Sequence, residues 1–450
     1  MPDLDRLADR KLAATVLQGG RLRALVLELW QRTRMDWGFV TDRLATTFRK
    51  ETWIGSHDRR FVSETLYGLV RHLRRVDLAV ARGRKVAKPP RDLERLLALL
   101  LLEGLIEPAQ AARVEPELDW RAITGVDQAI ARERKLATRI ALAASLPDWL
   151  AARFVADWGD AAEPLALALN QRAPMTVRAN LLIGDRAALA AELSREGLAT
   201  HAGSWSDTAL VIDSRTNLFG LAAFKRGAFE AQDEGSQLLS ELAHSDAAKP
   251  VVVDYCAGAG GKTLAIAAKL ANRGRIIATD VDGGKLEELR RRARRAQVSN
   301  AQAIAIEDGR WPREIEALRG KADVVFIDAP CSGVGALRRN PEARWRMRES
   351  DLAGFAARQQ QIISVARDLC APGGRIVYAT CTLLRVENGD VIDAVLAAHA
   401  DLATVPLGDV VGPDRAKRLG DGEAFTVTPH VHGTDGFYAR VLKRTTAAPR

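Results

Sequence analysis

The spacing of apolar residues changes twice along the chain and predicts three regions. Up to about residue 140, apolar side chains recur every three or four residues, which is the spacing of one buried helix face. One such face consists of Val62, Leu66, Leu69, Val70 and Leu73. The pair Pro89-Pro90 interrupts this pattern as a turn, because proline lacks an amide hydrogen and disfavours helix in the residue before it. We therefore predict an all-helical bundle over residues 1–140.

The second region, residues 141–235, mixes two periodicities. It opens near Ser145, where a serine followed three residues later by an acid is typical of a helix start. Apolar β-like runs at residues 177–183 and 209–212 then flank an alanine-rich helical run at residues 186–196. This order predicts a small unit of strand, helix and strand.

From Pro250 onwards, short β-branched runs alternate with helical stretches. The candidate strands are residues 251–254, 275–280, 303–307, 323–328 and 375–380, and helices begin near Lys262, Gly284, Trp311 and Asp351. Nearly continuous apolar strands separated by helices predict an α/β fold with a parallel sheet covered on both faces. Ligands of such sheets bind at the carboxyl ends of the strands, where four of the runs meet an acid. These acids are Asp254, Asp280, Asp308 and Asp328.

The loop after the first of these strands has the composition of a ligand-binding turn. Its sequence at residues 254–263 is Asp-Tyr-Cys-Ala-Gly-Ala-Gly-Gly-Lys-Thr, and the glycines allow a ligand to approach the backbone closely. A phosphate-binding P-loop would need glycine in place of Cys256, and a dinucleotide fingerprint would need it in place of Thr263. A nucleoside with little phosphate remains, and S-adenosylmethionine is the obvious candidate. Asp280 is then placed to accept hydrogen bonds from ribose hydroxyls, and Asp308 to face the adenine amino group.

Composition narrows the class of protein. With 450 residues, of which 47% are hydrophobic and 27% charged, the chain is predicted to be globular and soluble. Its longest leucine-rich run, residues 97–102, is too short to cross a bilayer, and the first twenty residues lack a secretory signal. Four cysteines without a Cys-x-x-Cys motif indicate neither a disulfide framework nor a zinc site. We therefore expect a protein of the reducing cytoplasm.

The charge of the chain favours a polyanionic partner. Lys and Arg outnumber Asp and Glu by 66 to 57, which gives a formal charge of +9. Cations cluster at residues 71–91 and 338–348, where they would bind phosphate through counterion release, although solvated helix faces explain either cluster equally well. In the second cluster, we expect Arg338, Arg339 and Arg344 to guide phosphate beside the pocket.

Two of the four cysteines lie at the same predicted sheet edge as the glycine loop. Cys331 follows the strand that ends at Asp328, and Cys381 follows the strand that ends at Thr380. Carbon 5 of a pyrimidine is too poor a nucleophile to attack a sulfonium methyl group unless a thiolate first adds at carbon 6. Such a site should lower the pKa of the thiol with nearby positive charge, for which Lys262 is a candidate. A partly protonated Asp328 would assist the addition at ring nitrogen 3.

These motifs resemble the RsmB/Sun family of RNA cytosine-5 methyltransferases. The similarity rests on the glycine loop, on Asp-Ala-Pro-Cys-Ser-Gly at residues 328–333 and on Tyr-Ala-Thr-Cys-Thr at residues 378–382. Further similar segments are Arg178-Ala-Asn180, Gln232-Asp-Glu234, Arg338-Arg-Asn-Pro341, Glu387-Asn388 and Gly436-Phe-Tyr438. The chain departs from the family loop at Ala259, where the family usually carries a proline that stiffens the turn.

The resemblance implies a fold and a set of site residues. The implied α/β fold is a Rossmann-like class I methyltransferase domain over residues 236–445, preceded by an all-helical NusB-like RNA-binding domain and a small α/β RNA-contacting unit. Cys381 is implied to be the nucleophile and Cys331 to help release the product, and both belong to a catalytic set with Asp328 and Lys262. The residues implied to contact S-adenosylmethionine or its neighbourhood are Cys256, Ala257, Gly258, Ala259, Gly260, Gly261, Lys262, Asp280, Asp308 and Asp328.

We therefore predict an enzyme that methylates carbon 5 of a cytosine in RNA, most simply ribosomal RNA, through a covalent adduct with Cys381. A cytosine in a loop or bulge is the favoured target, because a base inside a helix must first be extruded. We expect a cytoplasmic monomer whose partner is RNA, without DNA, membrane or metal. The alternatives are a transfer RNA substrate, a nucleotide hydrolase that uses the Lys-Thr ending of the loop, and a non-catalytic RNA-binding factor.

Overall fold

The chain divides into two compact units, each of which is discontinuous in sequence. A computed structural model describes residues 2–214, 216–307 and 310–445, with side chains from residue 9 onwards. The first unit comprises the described residues up to Arg172 and the segment Ala336–Glu349. The second unit comprises the described residues from Ala173 to Gly335 and from Ser350 onwards.

The first unit is built from helices, which the apolar spacing predicts only for residues 1–140; the helices that follow up to Arg172 lie in the range where the sequence analysis predicts the small α/β region. Its helices up to Arg172 are α1 (Pro2–Gln18), α2 (Gly20–Asp36), α3 (Val40–Lys50), α4 (Ser56–Arg71), α5 (Leu73–Arg82), α6 (Asp92–Leu102), α7 (Pro108–Val114), α8 (Trp120–Thr124), α9 (Val126–Ala131), α10 (Leu136–Ala143), α11 (Asp148–Trp158) and α12 (Ala162–Leu169). Large buried side chains such as Trp30, Phe61 and Leu96 form its core. Ser145 has a left-handed φ of 50° and follows the end of α10, so it does not cap α11 as predicted.

A small antiparallel sheet opens the second unit. Its strands are β1 (Met175–Ala179), β2 (Thr200–Ala202), β3 (Ala209–Ile212) and β4 (Phe229–Ala231), with the helices α13 (Arg186–Arg195) and α14 (Ala222–Lys225). The strand order is β2-β3-β1-β4, and every neighbouring pair is antiparallel. The sequence pattern predicts β1, α13 and β3 but misses β2 and β4, which have only three residues each and therefore show no measurable period.

The rest of the second unit is a layered α/β structure. Its elements, with α19 lying in the segment that returns to the first unit, are α15 (Glu234–Glu241), β5 (Val251–Asp254), α16 (Gly261–Lys269), β6 (Arg275–Asp280), α17 (Gly283–Arg295), β7 (Ala301–Ala305), α18 (Arg313–Glu316), β8 (Ala322–Asp328), α19 (Ala343–Arg346), α20 (Asp351–Ala366), β9 (Cys370–Thr380), α21 (Gly389–Ala398), β10 (Leu402–Val405), α22 (Gly408–Val411), α23 (Pro413–Arg418), β11 (Phe425–Val427), α24 (Pro429–His432) and β12 (Phe437–Arg444). The eight strands follow the order β10-β12-β9-β8-β5-β6-β7, with β11 paired to β12.

The larger sheet is mixed rather than wholly parallel. The strands β5 to β9 run parallel to one another, whereas β12 pairs antiparallel with β9, β10 and β11. Adjacent residues of β5 lie in different hydrophobic cores. Val252 packs into the cluster on one face of the sheet, and Val253 packs into the cluster on the other face. Burial on both faces explains why these strands read as continuous apolar runs. The Rossmann-like α/β prediction is confirmed, and the antiparallel strands correct its all-parallel detail.

The segment Ala336–Glu349 carries the second basic cluster into the first unit. Arg344 is fully buried and donates hydrogen bonds to the carbonyl oxygen of Ala144 and to Oδ1 of Asn170, both at 2.8 Å. Arg338 is also buried, and its carbonyl oxygen accepts a hydrogen bond from Arg71. Burial of Arg338 and Arg344 contradicts their predicted role in guiding phosphate, because neither guanidinium faces solvent. Arg339 is partly exposed, and its role stays a prediction.

None of the helices in the described ranges combines the length and the apolar character that a bilayer crossing requires.

Candidate active site

The glycine loop between β5 and α16 is a tight turn that depends on glycine. The amide of Gly260 donates to the carbonyl oxygen of Ala257, which closes the turn, and Gly258 and Gly260 have left-handed φ values of 53° and 84°. A Cβ added to Gly260 would lie 2.5 Å from Cγ of Leu289. Both backbone conformation and packing therefore require glycine at position 260.

Asp280, at the end of β6, holds the loop from the neighbouring strand. Its Oδ2 accepts a hydrogen bond from the amide of Gly258 at 2.8 Å, and its Oδ1 accepts one from the amide of Asp282 at 2.9 Å. Because β5 and β6 are parallel neighbours, their carboxyl ends lie at one sheet edge, where ligands of this fold bind.

Asp254 lies behind the loop and is fully buried. Its Oδ2 accepts a hydrogen bond from Oγ1 of Thr263 at 2.6 Å, while its Oδ1 has no hydrogen-bond partner within the described part of the chain. Burial raises the pKa of Asp254 to about 7, because a carboxylate is poorly solvated there. Asp254 therefore supports α16 from the interior.

The raised pKa of Asp254 predicts a pH-dependent cost to stability. The folded state holds this proton more tightly than the unfolded state, so the contribution of Asp254 to stability falls as the pH rises from about 4 to about 7. Between pH 5 and pH 7.5, the free energy of unfolding of the wild type should fall by about 2 to 3 kcal/mol relative to Asp254→Asn, which does not titrate. Urea denaturation of both proteins at the two pH values measures this difference, and a pH-independent difference would contradict it.

Lys262, in the first turn of α16, forms an ion pair with Asp328 at the end of β8. Nζ of Lys262 lies 2.5 Å from Oδ2 of Asp328. Burial lowers the pKa of Lys262, but the charge of Asp328 and the hydrogen bond outweigh burial, so this pKa is raised overall. Asp328 here accepts a hydrogen bond from an ammonium group, as a carboxylate does. The predicted assistance of Asp328 at ring nitrogen 3 stays a prediction.

Cys331 and Cys381 meet at the same edge of the sheet. Their Sγ atoms are 3.3 Å apart, although 50 positions separate them in the sequence. The hydrogen bond to Cys381, together with burial, raises the pKa of Cys331. Electrostatic attraction to Cys381 is also among the causes that raise the pKa of Lys262. The structure therefore brings both predicted thiols together beside the Lys262–Asp328 pair.

Glu387 joins the loops that carry the two cysteines. This fully buried side chain accepts hydrogen bonds at Oε2 from the amide of Ser332 at 2.9 Å and from Nε2 of Gln359 at 3.1 Å. Ser332 donates in turn from its hydroxyl to Oγ1 of Thr382 at 2.9 Å. The sequence analysis names Glu387 only as part of a similar segment, and its structural role becomes visible from these contacts.

A cavity of about 360 Å³ connects these elements. Six predicted site residues line it: Cys256, Gly258, Asp280, Asp328, Cys331 and Cys381. The predicted loop residues that do not line it are Ala257, Ala259, Gly260, Gly261 and Lys262, of which Lys262 reaches the cavity wall through Asp328. Asp308 lies outside the described residues.

Sequence reasoning misses one wall of the cavity. This wall is a face of α20 formed by Arg358, Gln361, Ile362 and Val365. Their spacing of three, four and seven residues is that of one helix face, which is the signal that identifies them. The cavity volume lies within the range of about 300–1,000 Å³ that is typical of small-molecule sites. The open space around Gly258 and the carboxylate of Asp280 at the cavity wall fit a nucleoside ligand such as S-adenosylmethionine.

Comparison with known proteins assigns the chain to a family. A family model described as 16S rRNA methyltransferase RsmB/F matches residues 242–443. The probable ribosomal RNA small subunit methyltransferase B of Synechocystis sp. is 30% identical over 412 residues, which cover 86% of this chain and 91% of the relative. The corresponding protein of Xanthomonas campestris is 31% identical over 408 residues, covering 86% and 89%. The chain belongs to the RsmB/F methyltransferase family.

Further comparisons concern the fold and the middle region of the chain. A ferredoxin-like domain model of the RsmF/B type matches residues 146–218. The crystal structure of PH0851 has a TM-score of 0.72 and 24% identity, and covers 93% of this chain and 97% of that chain. NSun6 from Pyrococcus horikoshii with SFG has a TM-score of 0.57 and 20% identity, and covers 66% and 97%. These neighbours have the same fold as the chain.

The predicted family, fold class and activity are thereby confirmed. The RsmB/F protein is an S-adenosylmethionine-dependent methyltransferase that acts on RNA. The confirmed activity leaves no need for a nucleotide hydrolase or a non-catalytic RNA-binding factor, which were the alternatives from other classes.

Proposed function

We propose that this enzyme methylates carbon 5 of a cytosine in small-subunit ribosomal RNA through a covalent adduct with Cys381. The observation that carries the proposal is the pair of sulfur atoms 3.3 Å apart in the wall of the nucleoside-sized cavity. The names of the relatives, which are small-subunit ribosomal RNA methyltransferases, support the choice of RNA. The two free thiols suit an enzyme of the reducing cytoplasm. We also propose that the enzyme acts as a monomer.

The two thiols receive different roles from their surroundings. The hydrogen bond with Cys381 and burial raise the pKa of Cys331, so in the proposed mechanism Cys331 keeps its proton and donates its S–H to the sulfur of Cys381. A thiolate at Cys381 is stabilised by this hydrogen bond and by the nearby ammonium group of Lys262. The resemblance of residues 378–382 to the family motif that carries the nucleophile gives this role to Cys381. Asp328 holds the ammonium group of Lys262 in place.

The reaction then follows as addition, transfer and elimination. The thiolate of Cys381 forms a bond to carbon 6, and the electron pair of the carbon 5–carbon 6 double bond makes carbon 5 nucleophilic. Bound S-adenosylmethionine supplies an electrophilic methyl group for that carbon. Once Cys381 is bonded to carbon 6, Cys331 releases its own proton to water. Cys331, or a water that it orients, then removes the carbon 5 proton, the double bond forms again, and the electrons of the carbon–sulfur bond return to Cys381. The net products are the methylated base, the demethylated donor and one proton.

Methylation of defined RNA tests the proposed substrate. Purified enzyme should incorporate radiolabelled methyl groups from S-adenosylmethionine into unmodified small-subunit ribosomal RNA, and bisulfite sequencing should place them on carbon 5 of a cytosine. Unmodified transfer RNA serves as the comparison substrate. Labelling of transfer RNA alone would contradict the proposed RNA, and label at a position other than carbon 5 would contradict the chemistry.

A further inference from the structure

The glycine loop has few restraints of its own. It contains Gly258, Gly260 and Gly261 and no proline, so many backbone conformations compete with the one that presents Gly258 to Asp280. Each glycine costs about 0.5–1 kcal/mol more to order than alanine. A loop of this composition needs outside contacts to keep one shape.

Two guanidinium groups bind the carbonyl oxygens on either side of Gly260. Nη1 of Arg292, on α17, donates to the carbonyl oxygen of Ala259 at 2.8 Å. Nη1 of Arg178, on β1, donates to the carbonyl oxygen of Gly261 at 2.9 Å. These contacts satisfy loop carbonyls at the point where the backbone turns into α16.

The small antiparallel sheet supports both arginines. Glu230 of β4 lies opposite Arg178 in the strand register and is 3% exposed. Its Oε2 accepts a hydrogen bond from Nη2 of Arg292 at 3.0 Å, and its Oε1 accepts one from Arg295. Arg178 is 4% exposed and also donates to Oε1 of Gln232. Burial of the Glu230 carboxylate and of the Arg178 guanidinium has a substantial desolvation cost. The hydrogen bonds of Glu230 to Arg292 and of Arg178 to the loop offset this cost and hold both side chains against the loop.

We propose that Glu230, Arg292 and Arg178 are positioning residues for the methyl donor, which fix the glycine loop so that Gly258 and Asp280 are ready to receive it. The small sheet then takes part in donor binding in addition to any contact with RNA. This inference rests on the use of S-adenosylmethionine and does not depend on which RNA is methylated.

Donor affinity of Arg292 variants tests the proposal. Arg292→Met should raise the Kd for S-adenosylmethionine, measured by calorimetry, by about tenfold or more, because a hydrogen bond from a charged group to the loop is lost. Arg292→Lys keeps the charge and one donor and should fall between the wild type and Arg292→Met. Glu230→Gln, which removes the charge that orients Arg292, should also weaken donor binding. The KM for RNA should stay within about twofold of the wild type in all three.

Arg291→Met is the matched control on the same helix. The side chain of Arg291 is 70% exposed and pairs with Glu288, away from the loop, so its removal should leave the Kd for the donor unchanged. Hydrogen exchange of the peptide containing residues 257–262, measured without donor, should be faster in Arg292→Met than in Arg291→Met. A donor Kd within twofold of the wild type in Arg292→Met and Glu230→Gln would overturn the proposal, as would an equal rise in the KM for RNA. If Arg292→Met does not fold, the Arg292→Lys and Glu230→Gln results decide.

Discussion

Replacing Cys381 with alanine is expected to abolish methyl transfer while leaving donor binding intact. Without the sulfur at this position, nothing adds to carbon 6, and carbon 5 stays too poor a nucleophile for the donor. Turnover should fall by roughly 10⁴-fold or more, which is the scale seen when other enzymes lose their nucleophile. Asp280, Gly258 and the Lys262–Asp328 pair remain in place, so the Kd for S-adenosylmethionine should stay within about twofold. Radiolabel transfer and calorimetry measure the two quantities.

Cys370→Ala is the matched control for this loss. Cys370 is a fully buried cysteine at the start of β9 and does not line the cavity, so its removal should cost some stability but little activity. RNA containing 5-fluorocytosine gives an independent readout, because fluorine at carbon 5 blocks the final proton removal. The wild type should be trapped on this RNA and Cys381→Ala should not. Substantial activity of Cys381→Ala, or its trapping by the fluorinated RNA, would overturn the assignment of the nucleophile.

The strands of the larger sheet show which parts of the fold a sequence pattern can predict. β5 and β6 agree with the prediction to the residue, because they are short apolar runs buried on both faces and bounded by polar residues. β7 is an edge strand with partly exposed positions, and its observed bounds, Ala301–Ala305, begin two residues earlier than predicted. The sequence analysis does not predict the strand β12. Its antiparallel direction could not be predicted from a local pattern in any case, because direction depends on pairing with a strand that is distant in sequence.

The site shows the same division between local and distant information. The order of strands and acids is local, and it correctly places Cys331, Cys381, Asp280 and Asp328 around one cavity. The 3.3 Å contact between the sulfur atoms is a tertiary result that no spacing predicts. For Arg344, the local pattern and the structure disagree. Its basic neighbours indicate a phosphate-binding surface, but it is buried by carbonyl and amide oxygens about two hundred positions away in sequence.

Replacing Cys331 with alanine is expected to accumulate a covalent enzyme–RNA adduct. In the free enzyme, the hydrogen bond to Cys381 and burial raise the pKa of Cys331, so it holds its proton. Once the sulfur of Cys381 has bonded to carbon 6, it is no longer an anion, and that cause of the raised pKa disappears. Cys331 can then release its own proton to water and, as a thiolate, act as the base that removes the carbon 5 proton, directly or through a water. Without it, addition and methyl transfer proceed, but elimination stalls. Denaturing gel electrophoresis with labelled RNA should show a slowly migrating band that wild-type enzyme lacks.

The double variant Cys331→Ala/Cys381→Ala separates this adduct from nonspecific crosslinking. It should give no band, because the sulfur that forms the bond is absent. Base analysis of RNA released from the Cys331→Ala adduct by protease should show a methyl group already at carbon 5, since the block lies after methyl transfer. Normal turnover by Cys331→Ala without an adduct would remove Cys331 from product release. An adduct whose base carries no methyl group would instead place Cys331 before the transfer step, which contradicts its role as the final base.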